Sequence, residues 1–129
     1  MVRGMKLRRK RMKISDDSGF LALVDPDAYQ GFVDEDWQYD ELLARFRSEM
    51  QLKHALVWGT GAEGMWRVVV RSMKECSGFR QILGPIVVSA GRLLITNYES
   101  LTMAAQFEDV SLPEEHEAGQ VIEVPSGGY

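Results

Sequence analysis

The apolar positions along the chain change period twice. Phe20-Leu21-Ala22-Leu23-Val24 is a compact apolar run closed by the turn residues Asp25-Pro26-Asp27, and it predicts a strand over Ser18–Asp25. Tyr39, Leu42, Leu43, Phe46 and Met50 then recur at helical spacing, with Asp40, Glu41, Arg45, Arg47 and Glu49 on the other face. That pattern predicts an amphipathic helix over Asp36–Leu52. Asp34, Glu35 and Asp36 stand at its start, where carboxylates meet free backbone N–H groups and the positive end of the helix dipole.

From His54 onward the period becomes two. Ala55–Trp58 and Met65–Arg71 are rich in β-branched and aromatic residues, and the loop Gly59–Gly64 between them predicts a hairpin. Lys74–Phe79 reads as a loop. Ile86–Val88 and Arg92–Thr96 flank Ala90-Gly91 and predict a second hairpin, with Gly84-Pro85 marking its start. In Leu101–Phe107 the alternation of Leu101, Met103, Ala105 and Phe107 with Thr102, Ala104 and Gln106 favours a strand. Asn97, Glu99 and the two alanines would equally suit a short capped helix, and the strand is the reading taken here. Glu108–Gly119 reads as an acidic loop, Val121–Val124 as a strand and Pro125–Gly128 as a turn. A turn with no returning strand leaves one side of Val121–Val124 open, either for a segment beyond Tyr129 or for another chain. The expected fold is α+β: a mainly antiparallel sheet, curled into a sandwich or partial barrel, packed on one long helix.

Length and composition narrow the class. At 129 residues the chain is one domain's worth, and 45% hydrophobic and 26% charged residues are globular values. The longest apolar runs fall far short of the roughly 20 residues a membrane span requires. A single cysteine, Cys76, excludes a disulfide scaffold and fits a reduced, cytoplasmic setting.

Charge divides the chain more sharply than composition does. The net charge is −4, yet residues 1–13 carry seven basic residues (Arg3, Lys6, Arg8, Arg9, Lys10, Arg11, Lys13) and no acidic one. The remaining residues set eight basic against nineteen acidic side chains, a net of −11. A basic arm can bind phosphate-rich surfaces. It can also be an upstream extension, with Met12 as the biological start and Arg8-Arg9 encoded by a ribosome-binding sequence. The second reading is taken: residues 1–13 as a disordered or non-native extension, and 14–129 as one domain. Ile14-Ser15-Asp16-Asp17 follows the arm, so it is no secretory signal.

Each candidate for chemistry meets an obstacle. Gly59-Thr60-Gly61-Ala62-Glu63-Gly64 matches G-x-G-x-x-G, but a valine-rich strand follows it where a dinucleotide site needs a helix N-terminus. Asp25, Asp27, Asp34, Glu35 and Asp36 offer hard oxygen ligands, but Tyr29 and Gln30 break the calcium-loop pattern. Glu114-Glu115-His116-Glu117 lacks the spacing of a helical zinc motif. His54 is the only other histidine, and it sits where the helix ends and the dipole favours it. Trp37, Trp58 and Trp66 would need surrounding basic charge to stack nucleic-acid bases, so they read as packing residues. No catalytic, cofactor or metal residue is assigned, and the expectation is a protein that is not an enzyme.

The order of elements, with Asp36-Trp37 at the helix start, Gly84-Pro85-Ile86-Val87-Val88 through Ala90-Gly91-Arg92-Leu93, and Glu123-Val124-Pro125-Ser126-Gly127-Gly128-Tyr129, resembles the competence protein J family. Members are inhibitors of a DNA-entry nuclease, and related small bacterial immunity-like proteins share the pattern. The resemblance implies a small cytoplasmic protein that blocks a nuclease without chemistry of its own, and a family pattern running past Tyr129 into a last strand. An acidic body fits such a partner, because a nuclease cleft is basic. The expected contact surface is Asp25, Asp27, Asp34, Glu35 and Asp36 together with Glu108, Asp109, Glu114, Glu115 and Glu117, facing a basic nuclease or toxin. No nucleic acid or membrane partner is expected of this acidic body.

Overall fold

The strand β2 (Phe20–Val24) is apolar at every position because both of its faces are covered. It pairs antiparallel with β3 (Ala55–Gly59) on one side and β6 (Arg92–Asn97) on the other, and β6 pairs in turn with β7 (Val121–Glu123). The four-stranded order is β3-β2-β6-β7. The computed structural model describes residues 10–16, 19–61, 64–71 and 84–129. Cys76, Glu63, the Lys74–Phe79 loop and the arm residues Arg3, Lys6, Arg8 and Arg9 lie outside them.

Alternation along the strands divides the core into two. Leu21 and Leu23 of β2 and Leu93 and Ile95 of β6 face one side. There they meet Ile14 of β1 (Lys10–Asp16) and Val68 and Val70 of β4 (Gly64–Val70), an antiparallel pair of their own. Ala22 and Val24 of β2 and Leu94 of β6 face the other side. There they meet Leu42 and Phe46 of α1 (Tyr39–Gln51) and Leu101, Ala104 and Ala105 of α2 (Tyr98–Gln106). The class is α+β with antiparallel sheets, as expected. The sheet does not close into a barrel.

Several local expectations are corrected. β3 and β4 do not form a hairpin: β3 joins β2, and β4 crosses to the other layer to pair with β1 from Lys10↔Val70 to Asp16↔Gly64. The break expected after residue 13 therefore falls inside β1, whose Met12 and Ile14 pack on the core. The second predicted hairpin also separates. β6 lies between β2 and β7, while β5 (Val87–Val88) pairs with β8 (Gly127–Gly128). So the turn glycines form a short strand, and Tyr129 exchanges backbone hydrogen bonds with Ile86 at 2.8 and 3.2 Å. β7 stays at the sheet edge. Between β5 and β6, Gly91 takes φ +76°, a conformation that side chains strain.

Leu101–Phe107 is helical, not a strand. Asn97 accepts a hydrogen bond from the Ser100 N–H at 3.1 Å, an N-cap that satisfies one free donor. Leu101, Ala104 and Ala105 are buried at i, i+3 and i+4. The alternation was produced by small residues that fit either period. α1 starts at Tyr39, three residues later than expected, because the capping box is made by Gln38 and Glu41 and not by Asp36. Glu115–Gln120, which starts inside the predicted acidic loop and ends one residue past it, is a 3-10 helix. Among the described residues no helix is long and apolar enough to cross a membrane.

Candidate partner-binding face

The ten acidic residues expected at one surface separate by burial. Asp25 is 1% exposed and acts inside the fold. One of its oxygens accepts the Asp27 N–H at 3.1 Å and the other the Ser89 N–H at 3.0 Å, joining the end of β2 to the segment after β5. Asp27 is held by Arg92, whose Nε and terminal nitrogen reach its two oxygens at 2.9 and 2.8 Å. This two-pronged bond holds the Asp27 carboxyl below its ordinary range and pushes the Arg92 guanidinium up. Glu117 is also 1% exposed, and it accepts from the Thr96 hydroxyl at 2.6 Å and the Glu114 N–H at 3.1 Å. Asp25 and Glu117 are structural, and Asp27 is already neutralised.

The remaining residues are brought together in part. The backbone N–H groups of Val33 and Asp34 both donate to the Ala105 carbonyl, at 2.9 and 3.1 Å. A Cβ added at Gly31 would lie 3.0 Å from that of Ala104, so glycine facing alanine allows this approach. The segment Phe32–Asp36 is thus fastened to the last turn of α2, and Glu108 and Asp109 follow that turn directly. Asp34, Glu35, Asp36, Glu108 and Asp109 are all exposed there. Glu114 instead caps the 3-10 helix and Glu115 opens it, and β6 holds that helix through Thr96–Glu117 and through Gln120 donating to the Ile95 carbonyl at 2.7 Å.

The two segments that meet here carry no cation of their own, although Arg45 of α1 lies close enough to Tyr29 to act on its phenol. Residues 26–44 and 93–129 contain neither lysine nor arginine, yet hold thirteen of the nineteen acidic residues. Large apolar side chains are interspersed: Phe32, Met103 and Phe107 are 38%, 39% and 40% exposed. Tyr39 is exposed near the start of α2, and together with burial, the larger cause, it pushes the Tyr98 phenol up. Tyr98 in turn packs its ring against Phe20, centroids 5.8 Å apart.

Of two further polar groupings, the one around Glu49 was not legible from spacing, whereas Glu114-Glu115-His116-Glu117 stood out in the sequence as a local cluster. Glu49, placed by periodicity on the solvent face of α1, is 1% exposed. It accepts from the Gln30 N–H and faces Nδ1 of His54 at 3.1 Å, so His54 is held by a side chain as well as by the helix end. The Tyr29 hydroxyl is buried nearby without a hydrogen-bond partner among the described residues. Burial first, then the charge of Glu49, opposed by Arg45, pushes its phenol above the ordinary value. Glu114, His116 and Glu117 each place a ligand atom within 4.8 Å of the others. Both Glu117 oxygens already accept hydrogen bonds, which competes with a metal ion. A groove of about 580 Å³ beside β7, lined by Gly91, Arg92, Val121, Glu123 and Pro125, carries two charged side chains, and Arg92 is engaged by Asp27. Trp37 packs on the helical side of the sheet, Trp58 and Trp66 on the other.

No protein-family model matches the chain, and no curated protein matches it. Among solved structures it is similar to a protein named crocagin biosynthetic gene J, with a TM-score of 0.59 and 14% identity over 94% of this chain and 72% of that one. At that identity the likeness is one of fold.

Proposed function

We propose that this protein is a non-enzymatic, cytoplasmic binding protein that receives a basic protein partner on the face formed by Asp34–Asp36 and Glu108–Asp109. The observation that carries this reading is the fastening of Val33 and Asp34 to Ala105. It joins two cation-free acidic segments some seventy positions apart in sequence into one negative surface. Such a surface steers a basic partner and raises its association rate, and it repels acidic ones. A nuclease or a toxin acting on nucleic acid has the required basic cleft, and the resemblance to the competence protein J family favours that class.

The test is retention from host lysate on the immobilised full chain, eluted by a salt gradient. A basic nuclease released at moderate salt, and inhibited in solution by the protein, is the expected result. An empty column at low salt, or a captured nuclease whose activity is unchanged, would remove the proposal. Metal binding is the second reading, favoured by the grouping of Glu114, His116 and Glu117. A zinc-dependent rise in melting temperature that His116→Ala abolishes would support it.

A further inference from the structure

We infer that the acidic face docks a basic amphipathic helix of its partner, with Phe32, Met103 and Phe107 forming the apolar floor and Asp34–Asp36, Glu108 and Asp109 the charged rim. This rests on the acidic-face reading above and specifies the shape and chemistry of what binds there.

Three observations lead to it. The first is the apolar content. Phe32 adjoins Gly31 and Val33, the two residues that meet Ala104 and Ala105, so it stands beside the last turn of α2. Met103 and Phe107 lie one helical turn apart, with the Phe107 N–H donating to the Met103 carbonyl at 3.1 Å. Three large apolar side chains are therefore exposed on segments that meet at the last turn of α2, where scattered single residues would be ordinary. Methionine among aromatics adapts its shape to an incoming side chain.

The second is the uniform sign of the rim. Neither of the two segments contains a lysine or arginine. Positive charge must come from outside them, so the complementary occupant alternates apolar anchors with Lys or Arg.

The third is the state of the backbone. A partner strand would need free N–H groups along Val33–Gln38. Those of Val33 and Asp34 go to Ala105, Asp36 to the Asp34 side chain at 3.0 Å, Trp37 to the Asp34 carbonyl and Gln38 to Glu41. Five of the six N–H groups along Val33–Gln38 are thus engaged, which leaves no ladder for a partner strand, and recognition runs through side chains. A helix presenting anchors at i, i+3, i+4 and i+7 does this.

Two synthetic peptides of about 18 residues and equal positive charge test the inference: one a Leu/Lys amphipathic helix, the other a Lys/Gly chain without apolar residues. Binding to the full-length protein is measured by fluorescence anisotropy at ~150 mM salt. The Leu/Lys peptide should bind at least about tenfold more tightly. Phe107→Ser with Met103→Ser should erase that advantage, with the melting temperature showing that the fold persists. Asp36→Lys with Glu108→Lys should weaken both peptides.

Equal affinity for the two peptides, or an advantage that survives the serine variants, overturns the helix-docking inference and leaves the acidic-face reading standing. Binding that is absent, or indifferent to the charge reversals, overturns the acidic-face reading itself. Removal of residues 1–9 and sedimentation of the protein alone identify other occupants. A large gain in peptide affinity on removal would assign the face to the chain's own basic arm, and salt-sensitive dimers would assign it to a second copy. Either overturns the partner helix.

Discussion

The two layers that cover the central sheet solve the same packing problem with opposite surfaces. On one side, β1 and β4 bury Ile14, Val68 and Val70 and turn Arg11, Lys13 and Arg67 to solvent. On the other, α1, α2 and the Phe32–Gln38 segment bury Leu42, Phe46, Leu101 and Ala105 and expose carboxylates with Phe32, Met103 and Phe107. Burial by itself demands only the inward half of each pattern. The outward half is free to vary, and among the described residues it is net basic on the strand layer and net acidic on the helical layer, where carboxylates outnumber Arg45 and Arg47 of α1. Both layers expose apolar side chains, Met65 and Val69 on the strand layer and Phe32, Met103 and Phe107 on the helical one, and on the helical layer they stand on the segments that carry the exposed carboxylates.

The largest expected effects come from the buried side of the helical layer. Leu101→Ala removes a side chain with no exposed surface, and urea denaturation should show a loss of about 2–5 kcal/mol. A loss well below that range would mean that α2 is loosely attached and that the acidic face has no rigid base. Glu117→Ala leaves the Thr96 hydroxyl and the Glu114 N–H without their acceptor, and should cost about 1–3 kcal/mol by the same measurement. A neutral outcome would return Glu117 to the candidate ligands.

The polarity itself is tested next. Asp36→Lys with Glu108→Lys should lower affinity for a basic peptide by about tenfold, with the slope of affinity against salt reduced. Arg67→Glu, on the opposite layer, should leave that affinity unchanged. If both variants act alike, net charge and not the face is what binds.

The smallest effect belongs to Asp27 and Arg92, a partly exposed pair worth less than about 1 kcal/mol. Because Arg92 lowers the Asp27 pKa in the folded state, the pair contributes stability above the ordinary carboxylate range. That stability fades as pH falls through the lowered value. Asp27→Asn should therefore matter at neutral pH and vanish in strong acid, as read by melting temperature against pH. A difference that grows on acidification would contradict the assignment.

Much of this was legible from spacing. The α1 periodicity placed Leu42 and Phe46 inward correctly, and the run Phe20–Val24 marked the strand that both layers cover. Asn97 and the paired alanines carried the signal for α2, but alternation at small residues outweighed it. Of the candidate surface, Asp34–Asp36 and Glu108–Asp109 are exposed as expected, whereas Asp25 and Glu117 turn inward. Nothing local distinguishes them: an aspartate in a turn and a glutamate in a 3-10 helix look alike whether or not Ser89 or Thr96 awaits them.

The sequence by itself determined the class, the long helix and the separation of basic from acidic stretches, because these depend on residue order over ten or twenty positions. Strand pairing depends on which distant partners complete a hydrophobic face. Only the tertiary structure therefore decided that β4 leaves β3 for β1 and that β5 leaves β6 for β8. The same holds for the acidic face. Its two halves lie far apart along the chain, and two hydrogen bonds to one carbonyl, at Ala105, bring them together.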